Sequence, residues 1–138
     1  MKSALVSYFI ALLLLVIIDA VWLSFVIRKF VDEKIGHLMA DSVKMGPVVV
    51  FYPLYALAIT VFIVIPAIQG DFSLWRVFFI GGLLGLAAYG AYDLTNHATL
   101  KEWPLLMTVV DMSWGAVMTG TVSVLAFYLS NTFIKIIT

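Results

Sequence analysis

SALVSYFIALLLLVIIDAVWLSFVI, residues 3–27, carries one charged side chain, Asp19, and stops at Arg28-Lys29. Whether it is cleaved or stays in the membrane settles the architecture. A secretory signal has an apolar stretch of roughly 7–15 residues followed by a small-residue cleavage site. Here the run is longer, no A-x-A-like site follows, and Asp19 and Trp22 stand where cleavage would fall. A membrane-spanning helix needs about 20 predominantly apolar residues, and this segment supplies them. It is read as a retained transmembrane helix.

The whole chain agrees. Soluble domains are about 45–50% apolar and about 25% charged. These 138 residues are 64% hydrophobic and 12% charged, with a mean hydropathy of +1.12, so a soluble fold could not hide the apolar surface. Eight basic and eight acidic side chains cancel, and no basic face points to nucleic acid as a partner. The absence of cysteine removes disulfides, thiolate metal sites and thiol nucleophiles.

Three further segments qualify as spans, at about 47–68, 74–96 and 104–130, beside the first at about 3–27. Pro53 is placed to kink the second, and Arg76 begins the third if it snorkels to the headgroups. The expected fold is an all-α membrane protein, a single antiparallel four-transmembrane-helix bundle over residues 1–138. In the first connection, residues 28–46, Phe30, Val31, Ile35, Leu38 and Met39 recur by threes and fours. That spacing predicts a short interfacial amphipathic helix between helices 1 and 2. Arg28, Lys29, Lys34, Lys44 and Lys101 fall on one side of the membrane, against Lys2, Arg76 and Lys135 on the other. The bias puts the first and third loops in the cytoplasm.

Antiparallel topology gathers the polar residues. Asp19 lies nine residues before Arg28, roughly 13 Å of helix, and Asp111 seven residues after Pro104, roughly 10 Å, at about 1.5 Å per residue. Both carboxylates are therefore expected at similar depth in one half of the bilayer. Each begins an Asp-x-x-Trp motif, with Trp22 shallower and Trp114 deeper. The same half receives Tyr52 and Tyr55 from the second span, and Tyr89, Tyr92, Asp93, Asn96 and His97 from the third. The other half reads as apolar, with ALLLLVII at 11–18 and VLAFYL at 124–129. Gly81, Gly85 and Ala88 form a small-residue stripe that allows the third helix to approach a neighbour closely. Thr108, Asp111, Gly115 and Thr119 share an inward face of the fourth.

A carboxylate near a helix centre costs about 2.5–3.5 kcal/mol on the insertion scale, whereas polar pairs between membrane helices average only about 0.6 kcal/mol. Interhelical glue alone therefore repays Asp19 and Asp111 poorly, and both lead the ligand- or proton-binding candidates, with Trp22, Tyr52, Tyr55, Tyr89, Tyr92, Asp93, Asn96, His97 and Trp114 around them. Asp93, near a helix end, is more simply a residue reaching water, and His97 and His37 are ordinary interface residues. No histidine–carboxylate spacing resembles a metal site, no cofactor is indicated, and no catalytic residue can be singled out. Nucleophile, zinc and phosphate-loop motifs are absent. The chemistry available is acid–base, from carboxylates, tyrosines and one histidine.

The run GAYDLTNHATLKEWPLLMTVVDMSWG, with IIDAVWL, IGHLMAD and FYPLY upstream, resembles a family of small bacterial inner-membrane proteins, the domain of unknown function numbered 2177. The resemblance covers nearly the whole chain. It implies four spans in the bacterial inner membrane and, through the gene neighbourhoods of that family, a link to membrane-lipid modification. It implies no activity. Three functions stand as expectations. The first is a one-sided pocket that binds, or does acid–base chemistry on, a lipid or other hydrophobic small molecule. The second is a proton- or cation-coupled transporter working as a homo-oligomer. The third is a membrane assembly subunit.

Overall fold

The computed structural model describes residues 2–137. Met1 and Thr138, the ends of the expected domain, lie outside the described residues, as do the side chains of Lys2, Ile136 and Ile137. The fold is all-α, with no strand among the described residues. Four helical segments are long and apolar enough to cross a membrane: Ser3–Val26, Met45–Gln69, Leu74–Thr99 and Leu105–Lys135. The second to fourth match the expected spans to within a turn or so at each end, and the first closely.

The first span is α1 (Lys2–Val21) continued by a π-helical turn, Trp22–Val26, closed by the Ile27 N–H donating to the Trp22 carbonyl at 3.0 Å. Such a turn inserts an extra residue and rotates the helix beyond it. The chain then enters α2 (Arg28–Ile35) and a 3₁₀ turn, Gly36–Leu38. Here is the expected interfacial helix, but shorter. Phe30, Val31 and Ile35 pack with Trp103 and Met107 of the third connection and the helix after it, whereas Leu38 and Met39 are exposed. The helix ends at Ile35 and the 3₁₀ turn winds at a different pitch, so the threes-and-fours spacing no longer keeps them on one face.

The second span comprises α3 (Met45–Ile59), a π-helical turn Thr60–Val64 and α4 (Ile65–Gln69). Pro53 stays inside α3. Pro66 has no N–H to return, and the wider π turn lies directly before α4. A tight connection leads to α5 (Leu74–Thr99), with Asp71 at φ 47°, a left-handed conformation that Asp tolerates better than most residues. Arg76, the cation expected at the headgroups, sits 3.7 Å above the Phe72 ring near this turn. The last span is α6 (Leu105–Ile137).

Helix α6 is the hub. Its contact with α5 is the most extensive in the molecule, α1 lies against it, and the second span reaches it chiefly through the π turn and α4. The core runs through Leu15, Ile59, Val64, Val77, Met118 and Val122, all essentially sealed. Outward faces carry Phe9, Leu13, Leu54, Phe62, Phe79 and Leu83, as surfaces facing lipid require. The half expected to be apolar also contains buried Ser7, Thr60 and Ser123. Each donates its hydroxyl to a carbonyl four residues back on its own helix, at 2.7–3.0 Å, so each is satisfied locally.

Candidate functional site

Glycine sets the distance between α5 and α6. A Cβ on Gly85 would overlap the Gly115 carbonyl, one on Gly81 would overlap Ser123, and one on Gly115 would enter the Tyr89 ring. The small-residue stripe on the third helix thus meets a second one on the fourth, backbone against backbone. This contact lays Tyr89 flat on α6 and, one turn later, turns Asp93 into the same seam.

Asp19 is 5% exposed and accepts a hydrogen bond on each oxygen. The Tyr52 hydroxyl donates to Oδ2 at 2.5 Å, and the Trp114 indole Nε1–H donates to Oδ1 at 3.0 Å. Three of the four spans therefore converge on one carboxyl group. Trp114 also stacks on Trp22, ring centroids 4.1 Å apart and planes within 4°. The two Asp-x-x-Trp motifs are interlocked through their tryptophans. One turn deeper on α3, Tyr55 is hydrogen-bonded to Thr119 of α6 at 2.8 Å.

The carboxyl of Asp111 does not pair with that of Asp19. It stands beside Asp93 across the α5–α6 seam. Because Asp19 meets Trp114, three residues beyond Asp111, α1 and α6 are offset by about one turn from the arrangement in which the two carboxylates face each other. Asp93, expected to reach water, is fully buried instead. Neither of its oxygens is met by a backbone, hydroxyl or indole donor, and the neighbouring Asp111 carboxyl is the group it can share a hydrogen bond with. Thr108, on the inward face expected of it, is buried close by; its hydroxyl takes the Trp103 indole N–H at 3.0 Å and is oriented to the Asp93 carbonyl at 3.4 Å. Among the described residues no group of three or more histidines, aspartates or glutamates is placed to hold a metal ion.

Against the first span lies an elongated crevice of about 1080 Å³. One wall is α1, the other α3, and the rim is built from α2 and the loop after it. Most of the lining is apolar, Leu12, Val16, Leu23 and Val49 among it, while Arg28, Asp32 and Asp41 stand at the rim. Tyr52 is part of the wall, so the hydroxyl that donates to Asp19 belongs to a side chain the crevice contacts.

The structure therefore sorts the candidates. Asp19, Trp22, Tyr52 and Trp114 form one cluster, with Tyr55 and Tyr89 adjoining it, and Asp93 and Asp111 form a second. Tyr92 is largely exposed and packs edge-on against Trp103 at 5.6 Å. Asn96 is half-buried, and its carbonyl takes the Leu100 N–H that ends α5. His97 is exposed with Nδ1 3.3 Å from the Trp103 carbonyl. These three pin the third connection and do not join either cluster. Sequence reading missed the crevice itself. It also missed the contact between His37 and Glu102, 3.1 Å apart, which ties the first and third connections together. Opposite polarity on two loops of the same side was the signal for that contact.

The model of the family described as "Predicted membrane protein (DUF2177)" matches residues 4–128, and the chain belongs to that family. No curated protein and no solved structure matches it.

Proposed function

We propose that this protein binds a lipid or other amphiphile in the crevice between its first and second spans, with Asp19 and Tyr52 as the polar groups at its wall. The observation that carries this reading is the shared side chain: Tyr52 lines the crevice and hydrogen-bonds the buried Asp19. A volume of about 1080 Å³ is just above the roughly 300–1,000 Å³ of small-molecule pockets. The Tyr52 hydroxyl can accept a bond from a ligand while donating to Asp19. A polar group arriving there would therefore either join the network or displace Tyr52 from the carboxyl. That is also the position from which Asp19 could exchange a proton with a bound molecule.

In this reading the rim faces the cytoplasmic side of a bacterial inner membrane, which the charge bias of the loops supports. The test is mass spectrometry of the molecules that co-purify in mild detergent. Wild type should retain an amphiphile, Ala20→Phe should lose it by filling the crevice, and Asp19→Asn should weaken it. Unchanged retention in both variants would end this reading.

The buried Asp93–Asp111 pair favours a second reading, a proton- or cation-coupled transporter working as a homo-oligomer. Proteoliposomes with a pH gradient test it. Flux should vanish in Asp93→Asn and Asp111→Asn, and flux equal to that of empty liposomes in wild type would remove it.

A further inference from the structure

The crevice has a length and a polarity, and together they specify the occupant. From the end of the first span at Val26 to Leu12 at the inner end is fourteen residues, about 21 Å at about 1.5 Å per residue, with Arg28 at the rim beyond it. One leaflet, headgroups included, is about 20–22 Å deep, half of about 40–45 Å. A slot of that length between two membrane helices suits a lipid lying parallel to its neighbours in the bilayer. A compact solute would fill only part of it.

The rim supplies the headgroup chemistry. Arg28, Asp32 and Asp41 all line it and all are exposed. None of them makes an ion pair among the described residues, where the close contacts of this kind are Lys29–Glu33 and the His37–Glu102 contact. A guanidinium recognises phosphate oxygens through paired N–H donors, and carboxylates accept hydrogen bonds from an ammonium group. A purely anionic headgroup would meet two carboxylates. A neutral one would leave all three charges unanswered.

We infer that the occupant is a zwitterionic aminophospholipid, with its phosphate at Arg28, its ammonium at Asp32 and Asp41, and an acyl chain running inward past Leu23 and Val16. This assignment rests on the crevice being the binding site and adds the headgroup to it. Tyr52 and Asp19 then lie below the headgroup, where the ester groups of the lipid are the polar atoms that would meet them.

The test is native mass spectrometry of the full chain equilibrated with an equimolar mixture of phosphatidylethanolamine, phosphatidylglycerol and diacylglycerol. The expected result is a one-to-one adduct in which phosphatidylethanolamine exceeds each competitor by about tenfold, about 1.4 kcal/mol. Arg28→Gln should reduce that adduct, and the double variant Asp32→Asn/Asp41→Asn should move the preference towards phosphatidylglycerol. Equal occupancy by the three lipids, or a preference that survives both charge changes, would overturn the headgroup assignment while leaving lipid in the crevice. An adduct that persists unchanged in Ala20→Phe, or no adduct in wild type, would instead remove the crevice as the site.

Discussion

Two helix seams in the same half of this bundle carry carboxylates, and they are built in opposite ways. Between α5 and α6, facing glycines bring backbones into contact, and Asp93 is sealed there with only the Asp111 carboxyl beside it. Between α1 and α3 no such stripe exists. The helices stand apart over a crevice, and Asp19 behind it has a donor on each oxygen. The difference separates access from burial. The closed seam is packed backbone against backbone. The open seam has room for a molecule, and its carboxyl is already held by groups that a ligand could rearrange.

Opening the closed seam should have the largest effect. Gly85→Leu forces a side chain into the Gly115 backbone, a clash that flexible neighbours cannot relieve. Its cost should reach or exceed the upper end of the about 1–3 kcal/mol typical of overpacking. Thermal or SDS denaturation in detergent should show a protein that barely folds. A variant as stable as wild type would mean that α5 and α6 are not in backbone contact.

Removing one donor from Asp19 comes next. Trp114→Phe keeps much of the ring stack but deletes the indole N–H, leaving a buried acceptor short of a partner, at about 1–3 kcal/mol. The same variant, or Trp22→Phe, should abolish the exciton couplet that two parallel indoles 4.1 Å apart give in circular dichroism. A couplet that persists would show that the two motifs do not interlock.

Filling the open seam should do little to stability. Ala20→Phe projects into space, so its change should stay within about 0.5 kcal/mol, while bound amphiphile falls. This dissociation of stability from binding is what distinguishes the two seams. The smallest effect belongs to the loops. Glu102→Gln removes an exposed contact with His37, worth about 0–1 kcal/mol and weaker in salt. A larger loss in a salt titration of stability would make that clasp part of the bundle's core.

How much of this was legible in the residues depended on whether a feature was periodic or relational. The four spans were legible because each is a long apolar run bounded by charge or proline. The closed seam was legible because glycine and alanine at Gly81, Gly85 and Ala88 are a chemical statement about distance. Asp19 and Tyr52 were rightly placed in one half of the bundle. Their pairing with Trp114 was not legible, since it depends on how far α1 slides along α6. Asp93 looked like a residue at a wet helix end, because the burial it receives comes from a neighbouring helix and the connection between them. The crevice is the least legible feature of all. It is a gap between surfaces, set by where α2 and the loop after it turn back over α1 and α3, and no residue spacing encodes it.

The sharpest discriminator is a photo-crosslinking map made with a phospholipid bearing a diazirine on its acyl chain, in bilayers of defined composition. Adducts should concentrate on Val16, Ala20, Leu23 and Val49, and should disappear from them in Ala20→Phe while remaining elsewhere. Labelling spread evenly over those positions and the outward-facing Phe79 and Leu83 would contradict a bound lipid, because it would describe ordinary bilayer contact with no molecule held in the open seam.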